Sequence, residues 1–162
     1  MLKKPSIYLE TTIFNFPFVD DAPQYKAETL RLFKEIKNGK FKPYTSEFVI
    51  YELKNTKDEK KLDNMLSLIS EYSVEILPIN DEVRRLADIY VSAGIIPENF
   101  LSDAVHIAMA AVHGLDFIIS LNFKHIVKHK TILETEFIHI REGYKRIFIH
   151  TPLEVISHDE NN

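Results

Sequence analysis

Residues 97–114 (PENFLSDAVHIAMAAVHG) constrain the fold more than any other part of the chain. Apolar residues occupy nearly every side of the helix that this segment would form. A helix of that kind is buried between layers of structure. The next segment, residues 116–120 (DFIIS), is a short apolar run that is typical of a strand covered on both faces of a parallel sheet. Together the two segments predict a layered protein with a parallel sheet at its centre.

The rest of the chain alternates between strand and helix patterns. Strands are predicted at residues 6–10, 41–45, 74–77, 116–120 and 147–150, and helices at 24–37, 46–54, 58–72, 80–94, 97–114 and, in one or two pieces, 123–144. This alternation predicts an α/β fold, a three-layer α/β/α arrangement with a mainly parallel central sheet. Because 162 residues fit one domain, we expect a single domain over residues 1–151 and a C-terminal tail over residues 152–162.

Four polar residues stand out against this frame. Glu10 ends the first predicted strand, Asn122 lies two residues past the fourth, and ligands of open parallel sheets bind beyond the carboxyl ends of the strands. Glu52 and Asp103 lie in helices, between uncharged neighbours. A carboxylate in an apolar setting is costly to bury unless it is paired or binds a metal. Because the chain has no cysteine, oxygen ligands favour Mg²⁺ or Mn²⁺.

Each of these residues has a plainer interpretation when it is considered alone. Asp103 could favour the dipole of its helix, and Glu52 could be a solvated residue on a helix surface. Glu10 could close a turn, and Asn122 could cap the helix that follows it. The combination, however, favours one shared site over four separate explanations. Two of the residues lie at strand ends and two are helix carboxylates, all in one predicted α/β fold.

Segments along almost the whole chain resemble the sequence motifs of the PIN-domain family. YLETTIF resembles the first motif, SEFVIYEL the second, LSDAVHIAMAA the third and IISLNFKHI the fourth, with the Asn that is common in one branch of the family. The closing segment GYKRIFIHTPLEVI resembles the end of that branch. The third and fourth motifs are the most specific. The family includes the VapC-like toxins of prokaryotic toxin–antitoxin pairs.

This resemblance implies a metal-dependent endoribonuclease that hydrolyses RNA phosphodiesters with one or two Mg²⁺ or Mn²⁺ ions. By resemblance, Asp103 and Glu52 would be the principal metal ligands, directly or through water. Glu10 would complete the metal shell. Asn122 would be a neutral ligand or would orient a water molecule.

Three further residues are candidates for substrate binding. The resemblance implies that Thr11 and Thr12 offer hydroxyls to a phosphate or to metal-bound water. Lys124 opens a basic segment, residues 124–130 (KHIVKHK), that could bind RNA phosphates or could be an ordinary solvated helix face.

Two positions depart from the family pattern. Glu10 stands where the family has Asp, and its extra methylene moves the carboxylate outward by roughly 1.5 Å. Asn122 carries no charge, so the site has fewer anionic ligands than a site with four carboxylates. These departures keep a second interpretation open, in which a PIN-fold protein without catalysis acts as an RNA-binding or protein-interaction module.

Charge and composition limit the partners. The net charge of −4 argues against a simple duplex-binding module, but it is compatible with a nuclease that holds a metal. No apolar run approaches the roughly 20 residues that span a bilayer, and no signal peptide is recognised. We therefore expect a cytoplasmic protein without a membrane partner. The resemblance implies an RNA substrate, a small antitoxin protein and a homodimer.

The sequence gives less support to other kinds of functional site. His125 and His129 stand four residues apart and could share a helix face as zinc ligands, but no Glu lies between them as in a metalloprotease. His106 is interpreted as a hydrogen-bonded core residue. The turn after the first strand has no glycines and therefore excludes a dinucleotide site. Pro78 ends the third strand, where a receiver domain would need an acid. Three residues of the first predicted loop would cover the site or form a partner surface: Phe14, Phe16 and Phe18.

Overall fold

The computed structural model describes residues 3–157 and contains one central sheet of five parallel strands. The strands are β1 Ser6–Leu9, β2 Lys42–Ser46, β3 Glu75–Leu77, β4 Phe117–Ile119 and β5 Phe148–His150. Their order across the sheet is β3-β2-β1-β4-β5. Strands β2 and β3 therefore lie on one side of β1, and β4 and β5 lie on the other. The strand order therefore reverses between β1 and β4, which is where a ligand site is expected in such a sheet.

Helices connect the strands and cover the sheet. They are α1 Thr11–Asn15, α2 Pro23–Lys37, α3 Glu47–Leu53, α4 Glu59–Glu71, α5 Asp81–Ser92, α6 Leu101–Val112, α7 His129–Glu142 and α8 Pro152–Val155, with short 3-10 turns at Phe16–Phe18 and Glu98–Phe100. The side chains of Ser46 and Asn80 cap α3 and α5, as the sequence predicts. None of the described helices is long and apolar enough to cross a bilayer.

The core confirms the predicted α/β fold. Helix α6 is buried along most of its length, as its uniform apolar character predicts. Strand β1 lies in the middle of the sheet, where its side chains at Ile7, Tyr8 and Leu9 have no exposed surface. All five strands run parallel, which fits the prediction of a mainly parallel sheet.

The segment after β1 differs from the predicted loop. Residues 11–18 form α1 and a 3-10 turn, and the Phe14 side chain is completely buried with its ring 6.0 Å from that of Phe33. Phe16 and Phe18 are partly buried against the same core. These phenylalanines therefore serve the core rather than a partner surface. A helix of five residues is too short to show an apolar period, so the sequence pattern did not reveal it.

The predicted C-terminal tail also needs correction, because residues 152–157 belong to the domain. Pro152 is buried at the start of α8, and the Ser157 backbone N–H donates to both carboxylate oxygens of Glu35 at 3.0 and 3.1 Å. Glu35 is 2% exposed and also pairs with Lys40 at 2.8 Å. The rest of the predicted tail, residues 158–162, lies outside the described residues.

Candidate active site

Glu10 lies where the strand order reverses, at the carboxyl end of β1. Its backbone N–H donates to the carbonyl of Ile119, so the pairing with β4 continues up to this residue. The side chain is 3% exposed, and its Oε1 accepts hydrogen bonds from Ser120 at 2.6 Å and from Thr12 at 2.5 Å. Burial raises the pKa of Glu10 above its usual value, and the nearby charge of His106 together with the two hydroxyls opposes this only in part.

Glu52 reaches the same edge from α3, which starts directly after β2. Its Oε1 accepts a hydrogen bond from the Thr11 hydroxyl at 2.8 Å and a short hydrogen bond from Nε2 of His106. Burial alone would raise the pKa of Glu52. The hydrogen bond and charge of His106, with the Thr11 hydroxyl, outweigh burial and lower that pKa.

His106 on α6 lies among all three carboxylates. It is 1% exposed, and its Nδ1 hydrogen-bonds to the Tyr8 hydroxyl at 2.7 Å, which in turn bonds to Ser46 at 2.8 Å. Burial would lower the pKa of His106. The hydrogen bond to Glu52 and the negative charges of the three predicted acids outweigh burial and raise it. The lowered pKa of Glu52 and the raised pKa of His106 both favour an ion pair. His106 is therefore a partner of a predicted site residue as well as a hydrogen-bonded residue of the core.

Asp103 precedes His106 by one turn of α6 and therefore projects from the same side of the helix. Its Oδ2 accepts a hydrogen bond from Nδ1 of His125 at 2.9 Å, and both side chains are largely buried. The His125 ring lies 4.0 Å, between centroids, from that of Phe100. The histidine that holds Asp103 therefore comes from 22 residues further along the chain, and its ring packs on Phe100, which is three residues before Asp103.

Asn122 does not cap a helix, because α7 begins only at His129, and its side chain closes a turn instead. Its Oδ1 accepts the backbone N–H of His125 at 3.0 Å, and its backbone N–H donates to the Ser120 hydroxyl at 2.9 Å. Since Ser120 also bonds to Glu10, one chain of hydrogen bonds connects Glu10, Asn122 and the partner of Asp103. The amide oxygen of Asn122, which is the atom that could ligate a metal, already accepts this hydrogen bond within the turn.

The predicted substrate residues have structural contacts of their own. The Thr11 hydroxyl donates to Glu52, and the Thr12 hydroxyl donates to Glu10 while it accepts the backbone N–H of Leu121 at 2.9 Å. The exposed Lys124 lies on the rim, with its Nζ 5.1 Å from the centroid of the Phe100 ring.

The suggested zinc pair does not form on one helix. His125 lies in the turn before α7 and bonds to Asp103. His129 is the exposed first residue of α7. The physical reason is that the helix expected over the fourth motif begins later than predicted, so spacing by four does not place the two rings on one face.

A divalent cation fits these residues by donor type but not as a ready-made cage. Glu52 and Asp103 each have a second carboxylate oxygen that accepts no hydrogen bond from residues 3–157, and the Glu10 carboxylate is held by Ser120 and Thr12. Within that same range, no group of three or more His, Cys, Asp or Glu side chains is already arranged to hold a metal. Binding would therefore need side-chain movement toward a shared ion. Carboxylate oxygens are the ligands that Mg²⁺ and Mn²⁺ prefer.

Sequence reasoning missed the pairing of His106 and His125 with the acids. The prediction of a metal used the lack of charged neighbours beside the acids, but the structure supplies partners from far along the chain. Glu52 and His106 are 54 residues apart, and Asp103 and His125 are 22 apart. One signal was available, because Asp103 and His106 are three residues apart on a buried helix and must share a face.

A shallow depression of about 240 Å³ opens beside Glu52, with Thr11, Thr12 and Met65 among its lining residues. A larger depression of about 510 Å³ lies near Lys4 and Lys42, at the start of β1 and β2 and thus at the opposite edge of the sheet. The smaller of the two lies beside the predicted site residues Glu52, Thr11 and Thr12.

Comparison with solved structures supports the fold. The chain is similar to a chain in the crystal structure of VapBC2 from Rickettsia felis bound to a DNA fragment from their promoter, with a TM-score of 0.54 and 15% sequence identity. The similarity covers 90% of this chain and 98% of that chain. At this identity the likeness shows a shared fold. No protein-family model matches the sequence, and no curated protein matches it.

Proposed function

We propose that this chain is a metal-dependent endoribonuclease of the PIN type, acting as the toxin of a toxin–antitoxin pair. The observation that carries the proposal is the meeting of Glu10, Glu52 and Asp103 around His106, at the carboxyl edge of a parallel sheet. Acids gathered at one edge repel a phosphate unless a cation lies between them. The fold shared with the VapBC2 structure supports the same function.

In this proposal, Glu10, Glu52 and Asp103 hold Mg²⁺ or Mn²⁺ through carboxylate oxygens. Such an ion polarises the phosphate and lowers the pKa of a bound water. The chain's own task is to orient the acids. His106 and Thr11 fix the Glu52 carboxylate, and His125 fixes that of Asp103. Partners of this kind typically matter almost as much as the ligands themselves.

A protein partner is supported by the surface of α7. Leu133, Phe137 and Ile140 recur at helical spacing there and are 45%, 64% and 69% exposed. An exposed apolar stripe on a helix commonly marks a surface that another protein covers. We propose that this stripe contacts a small antitoxin or a second copy of the chain.

A non-catalytic RNA-binding or protein-interaction module is the second candidate. Two observations favour it: the amide oxygen of Asn122 accepts a hydrogen bond within a turn, and histidines already hydrogen-bond to Glu52 and Asp103. In this candidate the acids and histidines would form a structural network without a metal.

Substitution of single acids separates the two candidates. We expect Asp103→Asn and Glu52→Gln to lower the cleavage of mixed RNA by more than about 100-fold with Mn²⁺ or Mg²⁺ while the circular dichroism spectrum is unchanged. Asp88→Asn, the same change on the exposed face of α5, is the matched control. A chelator should abolish the cleavage by the wild type. Equal cleavage by wild type and Asp103→Asn would reject the proposed site.

A further inference from the structure

We propose that the exposed rings of Tyr51 and Phe123 are stacking platforms for unpaired nucleobases on the two sides of the carboxylate site. This inference rests on the proposed function and names the form of RNA that the site takes. Tyr51 belongs to the helix that follows β2, and Phe123 follows β4. Because β2 and β4 flank β1 on opposite sides, the two segments that carry these rings begin on either side of the strand that leads into Glu10.

Tyr51 is adjacent to Glu52 in the chain and is 65% exposed. Its ring is stacked on that of Phe48, with 6.0 Å between centroids and 20° between planes. Phe48 in turn lies 5.3 Å from the His106 ring, which bonds to Glu52. The exposed ring is therefore supported from behind by a row of rings that leads to the site.

Phe123 repeats this arrangement on the other side. It follows Asn122 directly and is 46% exposed. Its ring lies 5.7 Å from that of Tyr25, which makes an edge contact at 5.5 Å with Phe16. The next residue, Lys124, is exposed and offers the charge that a phosphate of a bound strand needs.

Position distinguishes these two rings from ordinary exposed apolar residues. A single exposed apolar side chain needs no explanation. Here, however, each exposed ring is next in sequence to a site residue and is backed by a second aromatic ring. Stacking on such rings requires a free base face, which single strands present and duplexes do not. We therefore expect RNA that is unpaired around the cleavage point to bind, and fully paired RNA to bind weakly.

The absence of tryptophan from the chain permits a direct test. In the Asp103→Asn variant, which keeps the RNA uncleaved, Tyr51→Trp and Phe123→Trp each introduce one fluorescent ring. With Mn²⁺ raised until it saturates this weakly binding variant, a single-stranded oligoribonucleotide should quench the fluorescence of both. The same RNA annealed to its complement should not. Phe137→Trp, on the exposed stripe of α7, is the control and should show no quenching.

Leucine substitutions measure what stacking contributes. We expect Tyr51→Leu and Phe123→Leu each to weaken single-strand binding roughly tenfold by fluorescence anisotropy, whereas Tyr51→Phe and Phe137→Leu bind like the parent. Unchanged binding by both leucine variants, or equal quenching by duplex RNA, would overturn the inference. If this occurs while the wild type still cleaves RNA, the proposed nuclease stands. Absence of both RNA binding and cleavage would reject the inference and the proposed function together.

Discussion

Glu52 and His106 illustrate how a protein can keep a partly buried carboxylate charged without lysine or arginine. The histidine donates a hydrogen bond to the acid, and both pKa values shift toward the charged forms despite burial. On its other side the same ring is held by the Tyr8 hydroxyl, which is itself bonded to Ser46. The orientation of Glu52 is therefore set by a chain of groups that begins in the core.

The first prediction at this scale is that His106 is a positioning residue. His106→Leu removes one hydrogen-bond partner from Glu52 and one from the Tyr8 hydroxyl, so we expect kcat for RNA cleavage to fall about 10- to 100-fold while KM changes little. His106→Gln keeps a donor for Glu52 and should recover part of the rate. Circular dichroism and urea unfolding would show whether each variant is folded and how stable it is. If kcat is unchanged in a folded His106→Gln and His106→Leu, the histidine does not position the site.

The three acids could be predicted as site residues because strand ends, apolar helix faces and motif resemblance are all local properties of the sequence. Their partners could not, because each depends on which distant segments meet after folding. Ser120 shows this well. It is one residue in a strand pattern, yet it bonds to both Glu10 and the backbone of Asn122 only because β4 lies beside β1.

At the scale of elements, α5 and α7 are joined by a buried polar contact. The Tyr90 hydroxyl of α5 makes a short hydrogen bond with Nε2 of His139 on α7, and both side chains are almost fully buried. Burial lowers the pKa of His139 to about 4. The contact of these two helices therefore requires a neutral histidine.

This requirement predicts that stability declines in acid. An unfolded histidine titrates near 6.5, and the folded one titrates at about 4. Because the unfolded chain binds the proton more readily, the contribution of His139 is complete above pH 6.5 and is lost as the pH falls toward 4. We expect a loss of up to about 3 kcal/mol in the free energy of unfolding from this residue.

Urea unfolding between pH 7 and 4.5 would measure the effect. His139→Gln should flatten the decline, whereas His129→Gln, an exposed change at the start of the same helix, should leave it as in the wild type. An identical pH dependence in wild type and His139→Gln would show that another group controls acid stability.

The long helices were predictable, whereas the two shortest helices, α1 and α8, were not. Helices α2, α4 and α5 show an apolar period over 12 or more residues, and α4 and α5 begin at side-chain caps. Helix α8 has only four residues, and its place is fixed by Glu35, which accepts hydrogen bonds from Ser157 far along the chain. Its sequence alone therefore suggested a tail.

At the scale of the whole molecule, topology assembles the site. The acids arrive from β1, from the helix after β2 and from the helix before β4, and the reversal of strand order brings these places together. The general rule for open sheets could therefore predict the edge. It could not predict the pairing of acids with histidines, which decides how much negative charge remains for a cation.

This balance of charge leads to a final prediction, that Mn²⁺ stabilises the folded chain more than Mg²⁺. An ion that binds only the folded form raises its stability by about 2.7 kcal/mol at 100 times the dissociation constant. Because no cage is ready-made in residues 3–157, the acids must move to reach the ion. Mg²⁺ tolerates imperfect geometry poorly and loses water reluctantly, whereas Mn²⁺ binds oxygen and nitrogen ligands more readily.

Thermal unfolding with either ion, together with calorimetric titration, would test this prediction on three variants. Asn122→Asp keeps an oxygen to accept the His125 N–H and adds a negative charge, so it should bind Mn²⁺ more tightly than the wild type. Asp103→Asn removes a charge and should lose most of the Mn²⁺ stabilisation, and the remote Asp88→Asn should keep it. Unchanged affinity in Asn122→Asp would mean that residue 122 serves only to close its turn. If neither ion binds at millimolar concentration, the acids and histidines form a closed structural network, and the non-catalytic module becomes the better account of the whole molecule.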